Sequence, residues 1–212
     1  MKIATSILNA DNRIESIKKL NNSSTDYIHI DTMDNIFVPN YHLPIDEVNM
    51  LEKITKKKFD IHLMMENPIP FIESLNYEYI DSITIHIEIK KDILEIIKLI
   101  KAHNIKVGLA IKPNTPNNIL DKYINLVDKI IVMSVEPGFG GQSFIENTPN
   151  KIKDIRTKRK DIIIEVDGGI NNKTIEKINT IADIAVVGSY ITKNDTYEEA
   201  IKKLKNKSTY IN

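Results

Sequence analysis

Residues 93–111 read Ile93-Leu-Glu-Ile-Ile-Lys-Leu-Ile-Lys-Ala-His-Asn-Ile-Lys-Val-Gly-Leu-Ala-Ile111. Two periods meet in this stretch. Ile93, Ile96, Ile97 and Ile100 follow the i, i+3, i+4, i+7 spacing of one helix face, and a continuous apolar run of strand length begins at Ile105. Period has to decide here, because Ile occurs 41 times in 212 residues and Lys supplies 26 of the 29 basic residues. That is the bias an AT-rich genome imposes, and it makes Ile content alone no signal for a strand.

The same alternation extends in both directions. Apolar runs of strand length begin near Lys2, Tyr27, Phe59, Ser82, Ile105, Lys129, Ile162 and Ile184, and between them lie helix-like segments at 11–20, 44–54, 68–76, 91–103, 116–124, 149–158, 172–180 and 196–206. Strands separated by helices argue for a parallel sheet. Eight such units in 212 residues suit an α/β protein made of one (β/α)8 TIM barrel domain over residues 1–212, with a doubly wound open sheet as the alternative. The steps from 27 to 59 and from 129 to 162 span 32 and 33 residues, against 22 to 25 for the others. In a barrel the extra length emerges at the C-terminal face, so long loops are expected at 32–43 and 135–147. The Lys-rich stretch at 202–207 reads as a solvated last helical turn.

Composition removes several classes of function. Basic and acidic side chains number 29 each, so no summed positive field favours nucleic acid or an anionic membrane. With no Cys there is no disulfide, no thiolate metal site and no Cys nucleophile, which fits a reducing cytoplasm. No apolar stretch reaches the ~18–20 residues of a membrane span, and Ile3–Leu8 is too short for a signal peptide. A soluble cytoplasmic protein without nucleic-acid or membrane partners is expected.

Candidate functional residues sit where the pattern demands core. Strand alternation places His29 and Asp31 on one face of Tyr27-Ile-His-Ile-Asp31. The same parity turns His62 inward, with Asp60 below it and Met64 above, and likewise Thr84, His86 and Asp167; the first strand contributes Ser6. Burying such groups without partners costs several kcal/mol each. Two His and two Asp converging from separate strands form a plausible N,O site for Zn²⁺, Fe²⁺ or Mn²⁺; a hydrogen-bonded interior network is the alternative. His42, in the long loop, and His103, on a helix, read as solvated. Met33, Met64 and Met133 read as rim packing, compatible with a soft apolar ceiling. Six of the seven glycines fall at three strand ends: Gly138, Gly140 and Gly141, then Gly168 and Gly169, then Gly188. Adjacent loops of this kind commonly bind phosphate through backbone N–H groups, and Ser189 adds a hydroxyl.

These residues also carry a family likeness. Ala4-Thr-Ser-Ile-Leu8, Ile28-His-Ile-Asp-Thr-Met-Asp34 with Phe37-Val-Pro-Asn40, Ile61-His-Leu-Met64, Val132-Met-Ser-Val135 with Pro137-Gly-Phe-Gly-Gly-Gln142, Glu165-Val-Asp-Gly-Gly-Ile170 and Gly188-Ser189 resemble the ribulose-phosphate 3-epimerases, in order along nearly the whole chain. The resemblance implies a pentose phosphate pathway isomerase interconverting D-ribulose 5-phosphate and D-xylulose 5-phosphate, acting as a homo-oligomer with one divalent metal ion (Zn, Fe, Mn or Co). It implies His29, Asp31, His62 and Asp167 as metal ligands, and Asp31 and Asp167 as the two acid/base groups that exchange roles with direction. It implies contacts to the phosphosugar from Ser6, His62, Gly138, Phe139, Gly140, Gly141, Asp167, Gly168, Gly169, Gly188 and Ser189.

The chain departs from the family pattern at Thr5, where Pro is usual, at Asn9, where Ser is common, at Asn35-Ile36 in place of Gly-His, and at Glu136 in place of Asn or Asp. Asn tolerates positive φ, so Asn35 can keep the turn. None of the four implied ligands is affected. An allulose 6-phosphate 3-epimerase, a related phosphosugar lyase and a non-catalytic phosphosugar-binding protein are the alternatives. The double glycine at 140–141 favours the pentose enzyme, and the lyases' Asp-x-Lys-x-x-Asp array is missing from the strand ends.

Overall fold

The computed structural model describes residues 1–209. Its strands are β1 (Lys2–Ser6), β2 (Tyr27–Asp34), β3 (Tyr41–His42), β4 (Phe59–Met64), β5 (Ile80–His86), β6 (Lys106–Ile111), β7 (Lys129–Met133), β8 (Ile163–Asp167) and β9 (Ile184–Val187). Setting β3 aside, each strand pairs in parallel with the next, and β1 pairs with both β9 and β2, which closes an eight-stranded TIM barrel. The helices are α1 (Arg13–Asn21), α2 (Ile45–Glu52), α3 (Ile69–Glu73), α4 (Ile93–Ala102), α5 (Thr148–Lys158), α6 (Ser189–Thr192) and α7 (Tyr197–Thr209). Among the described residues no helix is long and apolar enough to cross a membrane.

The stretch at 93–111 folds as its two periods require. Asp92 caps α4 by accepting from the Leu94 N–H at 2.9 Å, and Ile93, Ile96, Ile97 and Ile100 are all buried. At about 1.5–3 kcal/mol for each buried side chain, that face docks the helix on the sheet. Asn104 takes φ +58° and turns the chain into β6.

Two expected helices form only 3₁₀ turns. Residues 117–122 and 124–126 replace the first, and 174–177 the second. In the latter, Asn171 Oδ1 accepts from the Lys173 and Thr174 N–H groups, and the buried pair Ile175 and Ile178 sits three residues apart. A tight turn of three residues satisfies that spacing. The loop expected from residue 32 begins only at 35, because Thr32 and Met33 stay paired with Leu63 and Met64. Asn35 holds φ +59°, as its residue type allows, and the chain returns through β3, whose Tyr41 and His42 pair antiparallel with Asp34 and Met33.

Candidate active site

Inward parity brings polar side chains into the lumen in two layers. At the rim, His29 Nε2 lies 3.3 Å from Asp31 Oδ1 and 3.9 Å from Asp167 Oδ2. His62 Nδ1 lies 3.4 Å from that Asp31 oxygen and 3.5 Å from that Asp167 oxygen. Four donors at ~2.0–2.1 Å from one tetrahedral ion stand about 3.3–3.4 Å apart, so the spacing suits a divalent cation. The two nitrogens are buried and have no hydrogen-bond partner, a costly state that coordination relieves. Ser6 Oγ donates to the second Asp31 oxygen, Oδ2, at 2.8 Å.

Electrostatics reinforce the cluster. Burial alone would lower the pKa of His29, but Asp31 and the hydrogen-bonding carboxylates Asp60 and Glu165 raise it well above its ordinary value. His62 is raised for like reasons, against burial, by Asp167 and Asp31. Burial opposes ionisation of Asp31, yet His29 and His62 hold its carboxyl far below the usual range. A proton on either imidazole competes with a cation, so metal affinity is expected to fall as pH drops through the raised His values; metal titrations at stepped pH check this.

Beneath lies a charged layer of which the sequence reading places only Asp60. His29 Nδ1 faces Asp60 Oδ2 at 2.9 Å, which leaves Nε2 free for a ligand role. Ser82 Oγ donates to Asp60 Oδ1 at 2.6 Å. Lys129 Nζ bridges Asp60 and Glu165, reaching Glu165 Oε2 at 2.6 Å. Burial disfavours the Lys129 charge, but those two carboxylates more than restore it and raise its pKa. His29, Asp60 and Glu165 lie close enough together to be considered as a second metal triad, but the ammonium of Lys129 already takes the cation's place there. On the other flank, His62 Nε2 meets His86 Nε2 at 2.9 Å, and His86 Nδ1 meets Glu88 Oε2 at 3.1 Å. Burial pushes His86 down to about 4, so it is neutral.

Above the rim a cavity of about 600 Å³ is lined by Ser6, Asp31, Asp167 and the turns carrying Gly138–Gly141, Gly168, Gly169, Gly188 and Ser189. Met33, Met64 and Met133 line it too. Gly169 needs its missing side chain: its φ is +63°, and a Cβ would stand 2.5 Å from the Phe144 backbone nitrogen. Gly169→Ala is therefore expected to displace the turn and raise KM about tenfold with a smaller effect on kcat, which steady-state kinetics would read. Asn9, singled out from the sequence only as a departure, donates to Ser189 Oγ at 3.0 Å and packs on Gly140, where an added Cβ would displace the Asn9 side chain. His103 is exposed and stacks on Tyr77, as a solvated residue can. His42 is not the solvated loop residue expected: it lies in β3, half-buried, and burial lowers its pKa.

Fold and site together define a (β/α)8 barrel with a His2Asp2 cluster facing glycine turns. The family model for the ribulose-phosphate 3 epimerase family matches residues 2–192. The chain belongs to the ribulose-phosphate 3-epimerase family and is an enzyme, an isomerase. It is 34% identical over 216 residues to a ribulose-phosphate 3-epimerase of Bacillus subtilis (strain 168), covering 97% of this chain and 98% of that one. It is 38% identical over 225 residues to one of Buchnera aphidicola subsp. Acyrthosiphon pisum, covering 98% and 95%. The crystal structure of KGPDC from Streptococcus mutans matches with a TM-score of 0.75 over 98% of this chain and 96% of that one, at 12% identity, a likeness of fold alone.

Proposed function

We propose that the chain interconverts D-ribulose 5-phosphate and D-xylulose 5-phosphate, with Asp31 and Asp167 moving the carbon 3 proton and His29, Asp31, His62 and Asp167 holding one Zn, Fe, Mn or Co ion. One observation carries this reading: each aspartate turns a single oxygen toward the two histidines, Oδ1 of Asp31 and Oδ2 of Asp167, and both residues line the same cavity. Each thus has a second oxygen to accept or return a proton. Their strands, β2 and β8, lie three steps apart around the ring, so the carboxylates flank a substrate from two sides. Inversion next to a ketone requires this: one base removes the carbon 3 proton and an acid on the opposite face returns one through a planar enediolate.

The bound ion supplies Lewis-acid stabilisation of the negative charge that develops on the substrate oxygens. The chain does the rest. Ser6 orients the Asp31 carboxylate through its 2.8 Å hydrogen bond. The glycine turns and Ser189 hold the phosphate, which sets carbon 3, and not its neighbour, between the two carboxylates. Phe139, 54% exposed in its glycine-rich loop, is placed to cover bound sugar and exclude water.

Prolonged chelation is expected to abolish epimerisation, and a divalent metal to restore it; full activity in demonstrably metal-free protein would remove the ligand assignment. Comparing turnover of ribulose 5-phosphate with that of allulose 6-phosphate tests the substrate, the pentose being the faster. The reading includes a cytoplasmic homo-oligomer. Lack of Cys supports the compartment, and Ile36 and Tyr41, 76% and 65% exposed at the β2–β3 hairpin, support a self-contact that sedimentation would detect.

A further inference from the structure

Behind His62 lie two further side chains, His86 and Glu88, that ligand chemistry alone does not require. His62 on β4 and His86 on β5 face each other Nε2 to Nε2 at 2.9 Å, so one of these nitrogens must donate. Glu88, two residues further on, places Oε2 at 3.1 Å from His86 Nδ1, and its Oε1 accepts the Lys112 backbone N–H at 2.7 Å. A carboxylate only accepts, so the His86 proton sits on Nδ1. As a ligand through Nδ1, His62 carries its one ring proton on Nε2, the atom that faces His86 Nε2 as acceptor. That leaves a lone pair on His62 Nδ1, the atom that is buried without a hydrogen-bond partner and lies 3.4 and 3.5 Å from the Asp31 and Asp167 oxygens.

We infer that His86 and Glu88 are positioning residues of the metal centre, fixing His62 in the tautomer and orientation that present Nδ1 to the ion. The inference rests on the proposed ion site. It sets the two ligand histidines apart: His29 is backed directly by the Asp60 carboxylate at 2.9 Å, whereas His62 is backed by an imidazole that relays a carboxylate one residue further out. Packing does not explain the polar pair, since His86 lies against the Phe37 ring, at 4.7 Å between centroids, where an apolar side chain would serve as well.

The test uses the full chain with Co(II) as the probe, because its visible bands report ligand geometry and its affinity can be titrated. In Glu88→Gln, one amide oxygen must serve two donors, His86 Nδ1–H and Lys112 N–H, so one bond is lost without loss of volume. In His86→Leu, the His62 Nε2–H has no acceptor. Co(II) affinity is expected to fall about tenfold in the first variant and about 10–100-fold in the second, with altered bands in both, while the metal-free melting temperature of Glu88→Gln stays at the wild-type value. His86→Gln, which restores an acceptor for His62, is expected to recover part of the affinity. Wild-type affinity and spectrum in both Glu88→Gln and His86→Leu would overturn the inference and leave the ion site standing. Affinity lost only in step with metal-free melting temperature would overturn it as well, as a merely structural role. If the wild-type chain itself binds no Co(II), the ion site falls and the inference with it.

Discussion

Asp31→Asn and Asp167→Asn are each expected to lower the rate of epimerisation about 10³–10⁴-fold, the upper range of what a positioned acid or base contributes. Inversion needs both transfers, so losing either carboxylate stops it. Exchange needs only one. With Asp31 and Asp167 facing the substrate from strands three steps apart, each variant keeps the base for one face, and in D₂O the two variants should exchange the carbon 3 proton of different members of the ribulose/xylulose pair. The exchange will be slower than in wild type, because the same carboxylates sit in the His29–His62 cluster and their loss weakens metal binding. Metal content therefore has to be measured in each variant. If both metal-loaded variants label the same epimer, or either still epimerises at the wild-type rate, one of these aspartates is a ligand only.

The second large effect is on stability. Lys129 is 4% exposed, and its ammonium lies between Asp60 and Glu165, 2% and 0% exposed. Lys129→Met keeps the volume and removes the charge, leaving two buried carboxylates with only Ser82 and His29 to answer them. Breaking a buried pair in this way costs about 3–5 kcal/mol, or roughly 6–20 °C in melting temperature for a chain of this size. The pH dependence has a definite sign. Burial and the neighbouring Asp60 already raise Glu165 in the intact protein, whereas Lys129, against burial, holds Asp60 well below the usual carboxylate range; without Lys129 both carboxyls shift upward. A group whose folded pKa is raised contributes stability below its unfolded pKa and loses it as pH rises through the folded value. The deficit of the variant should therefore shrink on acidification, and Glu165→Gln added to Lys129→Met should recover part of it at neutral pH. Thermal melts across pH 5–8 read both effects; an equal deficit throughout would show that the Lys129 charge is not what holds this layer.

Much of this architecture was legible because two periods differ. At 93–111 the buried Ile positions switch from helix to strand spacing, and the barrel follows from that switch repeated around the chain. His29, Asp31, His62, His86 and Asp167 could be turned inward by parity alone. Lys129 and Glu165 obey the same parity, in step with Met133 and Asp167, and lie on neighbouring strands, but their charges acquire meaning only when closure of the ring brings Asp60, three strands away on β4, to the Lys129 ammonium. Short elements escaped for another reason. Ile175 and Ile178 suit an α-helix or a 3₁₀ turn equally, and two residues, Tyr41 and His42, are too few to show any period. Glu88 lies beyond the end of β5, where strand parity no longer applies, so its reach back to His86 depends on loop geometry that alternation does not encode.

Epimerisation in this cavity requires that the proton of carbon 3 leave and that one from a solvent-exchangeable acid return. The decisive measurement runs the wild-type, metal-loaded protein on D-ribulose 5-phosphate in D₂O and locates the label by NMR. The expected product is D-xylulose 5-phosphate with one deuterium, at carbon 3, and none at carbon 1. Product formed without solvent deuterium, or labelled at carbon 1, would contradict it.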